Sequence, residues 1–167
     1  MKAIRLRTEY LVDPLGIDVQ KPRLMWNCDA EQSGASPAKG EGGVKQTAYQ
    51  IVTENWDSGK VESASMHADY PKELKSRERV NWRVRLWDEN DQPGEWSEAF
   101  FEMGLLEKTD WMAKWITGDY AVNKKERYPV DCFRKVFTVR TNVRRARLYI
   151  TACGLYEARL ILIPDRK

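Results

Sequence analysis

Residues 79–89 read Arg-Val-Asn-Trp-Arg-Val-Arg-Leu-Trp-Asp-Glu. Val80, Trp82, Val84 and Leu86 fall on one face of an extended chain, and Asn81, Arg83, Arg85 and Trp87 on the other. Sustained alternation of this kind marks a half-buried β-strand. Glu89–Gly94 then gathers Asn, Asp, Pro and Gly, the residues of a turn. Trp96–Gly104 returns as the second arm of a hairpin.

The same pattern extends outward from that hairpin. Upstream, Gln46–Thr53 places Tyr49 and Ile51 on one side, toward a core, and Ala48, Gln50 and Val52 on the other. Trp56-Asp57-Ser58-Gly59 is a turn, Lys60–Ser65 reads as a short strand, and Tyr70-Pro71 begins another extended piece. Ser65–Asp69, which holds the single histidine His67, reads as loop. Ala3–Tyr10 alternates Ile4, Leu6 and Thr8 against Arg5, Arg7 and Glu9. Asp13-Pro14-Leu15-Gly16 is a turn, and Pro22–Trp26 is extended again. Asp29–Gly43 has the Gly, Ser and Ala content of a mobile loop. Short strands at this spacing, with no amphipathic helix, predict an all-β antiparallel sandwich.

A boundary falls near Gly104–Asp110. Beyond it, Ala113–Thr117, Phe133–Arg140 and Arg145–Cys153 read as strands, the last with Ala146, Leu148, Ile150 and Ala152 on one face. The charge divides at the same place. Residues 1–106 hold 14 basic and 18 acidic side chains, net −4, while 107–167 hold 14 and 7, net +7. Outward arginines on sheet strands account for that excess better than a nucleic-acid surface, since no nucleic-acid motif accompanies it.

Composition excludes several chemistries. The 167 residues are too few for a (β/α)₈ barrel, which needs about 250. Three cysteines, an odd number with no CxxC pair, argue against a disulfide scaffold and for a reducing, cytoplasmic setting. One histidine excludes a His-rich metal site, and a Cys–His nucleophile would have to use His67. The N-terminus lacks the apolar stretch of a secretory signal, and no run approaches about 18 apolar residues, so no membrane span is expected. Neither a cofactor nor a metal ligand set is expected. The carboxylates Asp88, Asp91, Glu95 and Glu98 sit on or beside the hairpin turn, where they are solvated rather than paired across a sugar.

Among the remaining side chains, Arg83, Arg85, Trp87 and Trp96 stand out. Trp87 and Trp96 flank the turn, and both arginines lie on Trp87's face. An outward indole stacks between guanidinium groups for about 0.5–1 kcal/mol per contact at exposed sites. The alternative for such rings is a stacking platform for sugars.

The ordered series Asp13–Asp18, Pro22–Trp26, Gln46–Ile51, Trp56–Ser63, Trp82–Asp88, Trp96–Glu98, Phe101–Leu106, Asp110–Ile116 and Arg145–Glu157 resembles the N-terminal region of bacterial α-L-rhamnosidases, glycoside hydrolase family 78. The resemblance implies a fibronectin type III-like (Ig-like) sandwich over 1–104. After it, over 105–167, come the first strands of an incomplete jelly-roll-like β domain. It also implies that the catalytic carboxylates belong to a later (α/α)₆ barrel, the partner absent here. No position carries their motif, so no catalytic residue transfers and the chain alone is expected to be inactive. After Leu160 the usual Asn-Gly turn and further strands are missing, which predicts a truncated or frameshifted fragment. Open strand edges then predict homo-oligomers, strand exchange or docking of 133–163 on the first sandwich. A strictly monomeric chain in sedimentation at high concentration would count against the first two. A carbohydrate-binding module and a fibronectin-like protein-interaction module are the alternatives.

Overall fold

The structure is a computed structural model and describes residues 1–29, 45–121, 123, 125–139 and 142–161. The Gly/Ser/Ala-rich stretch beyond Asp29 and the end of the chain after Ile161 lie outside these. Two compact units emerge, Met1–Lys114 and Trp115–Lys167.

The first unit holds eight strands among its described residues: β1 Lys2–Thr8, β2 Leu15–Ile17, β3 Arg23–Asp29, β4 Ala48–Thr53, β5 Val61–Glu62, β6 His67–Asp69, β7 Arg79–Trp87 and β8 Ser97–Met103. They form a three-stranded sheet, β1-β3-β6, and a five-stranded sheet, β2-β8-β7-β4-β5. All pairs are antiparallel except β2 with β8. The chain passes repeatedly from one sheet to the other, which lets both inner faces share one core.

β7 is the centre of this arrangement. It pairs with β4 on one edge, Gln50 opposite Arg85, and with β8 on the other, Arg83 opposite Glu98. Its inward residues Val80, Trp82, Val84 and Leu86 are buried together with Tyr49, Ile51, Phe101 and Met103. Leu24 and Trp26 from β3 belong to the same cluster. Tyr70 closes one end of it, edge-on to both Trp56 and Phe101.

Three local expectations change. β1 does not alternate cleanly, because its register slips between Ile4 and Arg7, and Arg5 takes φ 50°. Such a bulge inserts a residue and re-aims the side chains. Ala3 and Thr8 are therefore both buried, and Ile4 is not. Leu15 and Gly16, read as the end of the turn Asp13–Gly16, belong to a short strand, Leu15–Ile17, beside β8, with Gly16 at φ 88°. His67, read as loop, lies in β6, opposite Met25 of β3. In each case a long-range partner overrides the local signal.

In the second unit, the described parts of Phe133–Arg140 and Arg145–Cys153 carry no β-ladder, nor does Ala113–Thr117 at the junction. Val130, Val136, Leu148 and Leu160 are exposed. The alternation is present in the sequence, but alternation alone does not make a strand; pairing with a neighbour does.

Candidate functional site

The candidate site is the outer face of the five-stranded sheet. Alternation along β7 aims Arg83, Arg85 and Trp87 outward, and Trp96 enters the same face just before β8. The Arg83 guanidinium stands 4.6 Å from the centre of the Trp96 ring, and that of Arg85 stands 4.7 Å from it. Arg85 is also 4.7 Å from the Trp87 ring, and Lys60 Nζ is 5.6 Å from Trp87. The result is a row of alternating cations and indoles: Lys60, Trp87, Arg85, Trp96, Arg83. All four residues singled out from the sequence meet here.

Polar contacts hold the cations in place. Arg85 donates from Nε and Nη2 to Gln50 Oε1 at 3.0 and 2.7 Å. Gln50 Nε2 in turn donates to Asp57 Oδ1 at 2.7 Å, and the Gly59 N–H donates to the same oxygen at 2.8 Å. The Gln50 hydrogen bond, the Gly59 N–H and the charges of Arg85 and Arg83 lower the Asp57 pKa below its usual value. Lys60 contacts Asp91 and, at 2.8 Å, Glu62. Those hydrogen bonds, Asp91's first, raise its pKa. Further along the face the Arg79 guanidinium lies 3.5 Å from the Phe100 ring centre and 3.8 Å from the largely buried Glu102 carboxylate.

This arrangement binds its own members. Two guanidinium groups stand over Trp96 where a sugar ring would have to stack, and Trp87 is buried. A shallow open depression of about 450 Å³ lies beside the row, bordered by Val52, Asn81, Arg83, Glu98 and Phe100 among others.

The carboxylates near the hairpin have structural tasks. Asp88 Oδ1 accepts from the N–H groups of Asn90 and Gln92 at 2.9 and 3.0 Å and shapes the turn. Asp91 contacts Lys60, and Glu95 pairs with Lys2 at 3.2 Å. Glu98 lies opposite Arg83 in the ladder. Cys28 is not an activated nucleophile. Burial raises its pKa, and its Sγ donates to Gln46 Oε1 at 3.3 Å. Among the described residues no group of three or more His, Cys, Asp or Glu could hold a metal ion.

Sequence reasoning missed Lys60, Gln50 and Asp57 as partners of the arginines. Pairing β4 against β7 by their core faces would have put Gln50 opposite Arg85. It also missed buried Gln46, whose amide accepts from Trp26 Nε1 at 3.0 Å and donates to the Ser63 and Ser65 carbonyls at 3.0 and 2.8 Å. Nothing local distinguishes that glutamine from an exposed one.

A family model described as the Rha78A-like N-terminal immunoglobulin domain matches residues 3–107. An α-L-rhamnosidase from Alteromonas sp. (strain LOR) is 35% identical over 171 residues, covering 91% of this chain and 18% of the relative. The solved structure of an α-L-rhamnosidase from Dictyoglumus thermophilum superposes with a TM-score of 0.59 at 33% identity, over 70% of this chain and 14% of that one. That of a Streptomyces avermitilis α-L-rhamnosidase complexed with L-rhamnose gives 0.59 at 34% identity, over 70% and 12%. The chain spans less than a fifth of the length of these relatives.

Proposed function

The chain belongs to the family of Rha78A-like N-terminal immunoglobulin domains, and from that premise we propose that it is the non-catalytic N-terminal scaffold of an α-L-rhamnosidase-like glycosidase. One observation carries the reading: the Alteromonas relative named as an α-L-rhamnosidase is matched over 91% of this chain but only 18% of its own length. In this reading the complete polypeptide hydrolyses terminal α-L-rhamnose, and its catalytic barrel is the sandwich's partner. Inverting hydrolysis requires a general acid and a general base about 6.5–9.5 Å apart, leaving room for the attacking water. The carboxylates at the hairpin of this chain are committed to turn geometry and to surface lysines, so the acid and base would come from the barrel.

The physical content of scaffolding here is stiffness. A packed core and an outer face tied by cation–π and hydrogen-bond contacts resist shear, so what is attached can be held without the sandwich deforming.

Two measurements test the proposal. The purified chain should release no phenolate from an aryl α-L-rhamnoside, and turnover would overturn the non-catalytic assignment. Deleting the matched segment from the Alteromonas relative should lower its thermal midpoint while leaving KM for the aryl rhamnoside unchanged. A raised KM with an unchanged midpoint would replace the scaffold with a sugar-binding module.

A further inference from the structure

The last strand ends at Met103, yet the chain stays on the sandwich as far as Asp110. Gly104 is gripped from both sides. Its N–H donates to the Ile17 carbonyl at 2.7 Å, and its own carbonyl accepts from the Arg77 N–H at 3.0 Å. The passage is narrow, since a Cβ at position 104 would stand 3.2 Å from the Gly16 carbonyl oxygen. Leu106 then packs against the core, and its N–H donates to Ser76 Oγ at 2.8 Å.

The Ser76 hydroxyl donates onward to Asp110 Oδ2. That same oxygen accepts the Glu107 N–H at 3.0 Å. Arg77 Nη2 closes the ring by donating to the Asp110 carbonyl at 2.9 Å. Between Glu107 and Asp110 the backbone winds into a single 3₁₀ turn, Lys108–Asp110. Arg77 itself takes φ 66°, a conformation unfavourable for a residue with a Cβ. In that conformation its backbone N–H serves Gly104 while its guanidinium serves Asp110.

We propose that Ser76, Arg77 and Asp110 form a latch that carries the rigidity of the sandwich through Gly104–Asp110 and fixes the direction in which the chain leaves it. A free linker would need none of these contacts and would let its far end wander over a wide cone. Here two neighbouring loop residues reach the exit segment at Gly104, Leu106 and Asp110, and the acid at 110 locks the turn it ends. The inference goes beyond the scaffold reading and stands apart from it: a chain with any activity, or none, could carry this outlet.

Hydrogen exchange and spin-label distances on the whole chain test it. The Leu106 and Glu107 amides should be protected in the unaltered chain. In Ser76→Ala or Asp110→Ala they should exchange at least about tenfold faster, with the β7 amides unchanged. Ser76→Thr, which keeps the hydroxyl, should restore protection. Nitroxides at positions 21 and 113, in a background free of native cysteines, should give a narrow distance distribution that broadens in Ser76→Ala. Exchange at Leu106 and Glu107 as fast as in an unstructured peptide would overturn the latch, as would equal widths in both chains. If Ser76→Ala loosens the whole sandwich, the unaltered chain decides alone: a broad distribution between 21 and 113 rejects the latch and a narrow one supports it.

Discussion

Arg79–Trp87 and Arg145–Cys153 are written in the same alternating pattern and end differently. In the first, Val80, Trp82, Val84 and Leu86 are buried, and both edges of the strand are bonded, to β4 and β8. In the second, Leu148 and Ile150 are exposed, and the described residues form no β-ladder there. Alternation therefore encodes what a segment can bury once paired, and the pairing supplies the structure. The contrast extends to the two units: the first is built around a shared core, and among the described residues of the second Trp115, Val136, Phe137 and Leu160 are exposed.

The contrast is broken most directly by truncating one side chain in each region. Phe101→Ala removes a ring that is 0% exposed and should cost about 3–5 kcal/mol. Leu148→Ala, at a residue 73% exposed, should stay within about 0.5 kcal/mol. Urea titrations followed by tryptophan fluorescence read both. A comparable midpoint shift for the two would mean that Leu148 is buried in solution and that the two stretches do not differ.

Next in size is a glycine. A Cβ at Gly94 would lie 1.8 Å from the Met1 carbonyl oxygen, so Gly94→Ala must push the first strand away from the hairpin. Overpacking of this kind costs about 1–3 kcal/mol. The matching change in the second unit, Gly154→Ala, meets no atom within 4 Å, and only its φ of 152° resists it. Thermal melts should show a clear loss for the first and a smaller one for the second.

What the sequence reveals follows the same division. β7 and its hairpin with β8 are legible because every inward position is large and apolar and the turn residues lie between them. The Arg83–Trp96 and Arg85–Trp87 contacts are legible for a related reason: Arg85 and Trp87 are successive outward positions of one strand, and Trp96 returns beside them on the other arm of the hairpin. β1 is legible as a strand but its faces are not, because the bulge at Arg5 shifts them midway. β2 and β6 are not, because each is three residues long and is defined by a distant partner. Buried Gln46 is invisible for a related reason: its four contacts come from β3 and from Ser63 and Ser65, far along the chain.

Smaller still is the contribution of the stacked row on the outer face. Trp96→Ala removes two cation–π contacts and should cost about 1–2 kcal/mol, at about 0.5–1 for each. Trp96→Phe keeps a ring of weaker face charge and should recover part of the loss. If the two variants unfold at the same urea concentration, the guanidinium groups gain nothing from the ring, and the row is only a coincidence of outward positions.

The smallest effect separates the carboxylates of the first unit from the solvent. Glu9 takes hydrogen bonds from the Arg23 guanidinium and from the Arg23 N–H, the latter at 2.6 Å, and the guanidinium contacts hold its pKa below the usual glutamate value. The Asp110 pKa is lowered from the usual aspartate value, chiefly by the Ser76 hydroxyl and then by the Glu107 N–H, and that of Asp57 is lowered by Gln50. A carboxyl whose folded pKa lies below its unfolded one adds stability that is complete above the unfolded value. That stability disappears as pH falls through the folded value. The thermal midpoint of the sandwich should thus decline from about pH 5 downward. Glu9→Gln removes one of the groups responsible, so the variant should be less stable than the unaltered chain near neutrality and converge on it at pH 2. Parallel curves, with the same gap at both ends, would show that Arg23 binds the side chain at 9 without regard to its charge.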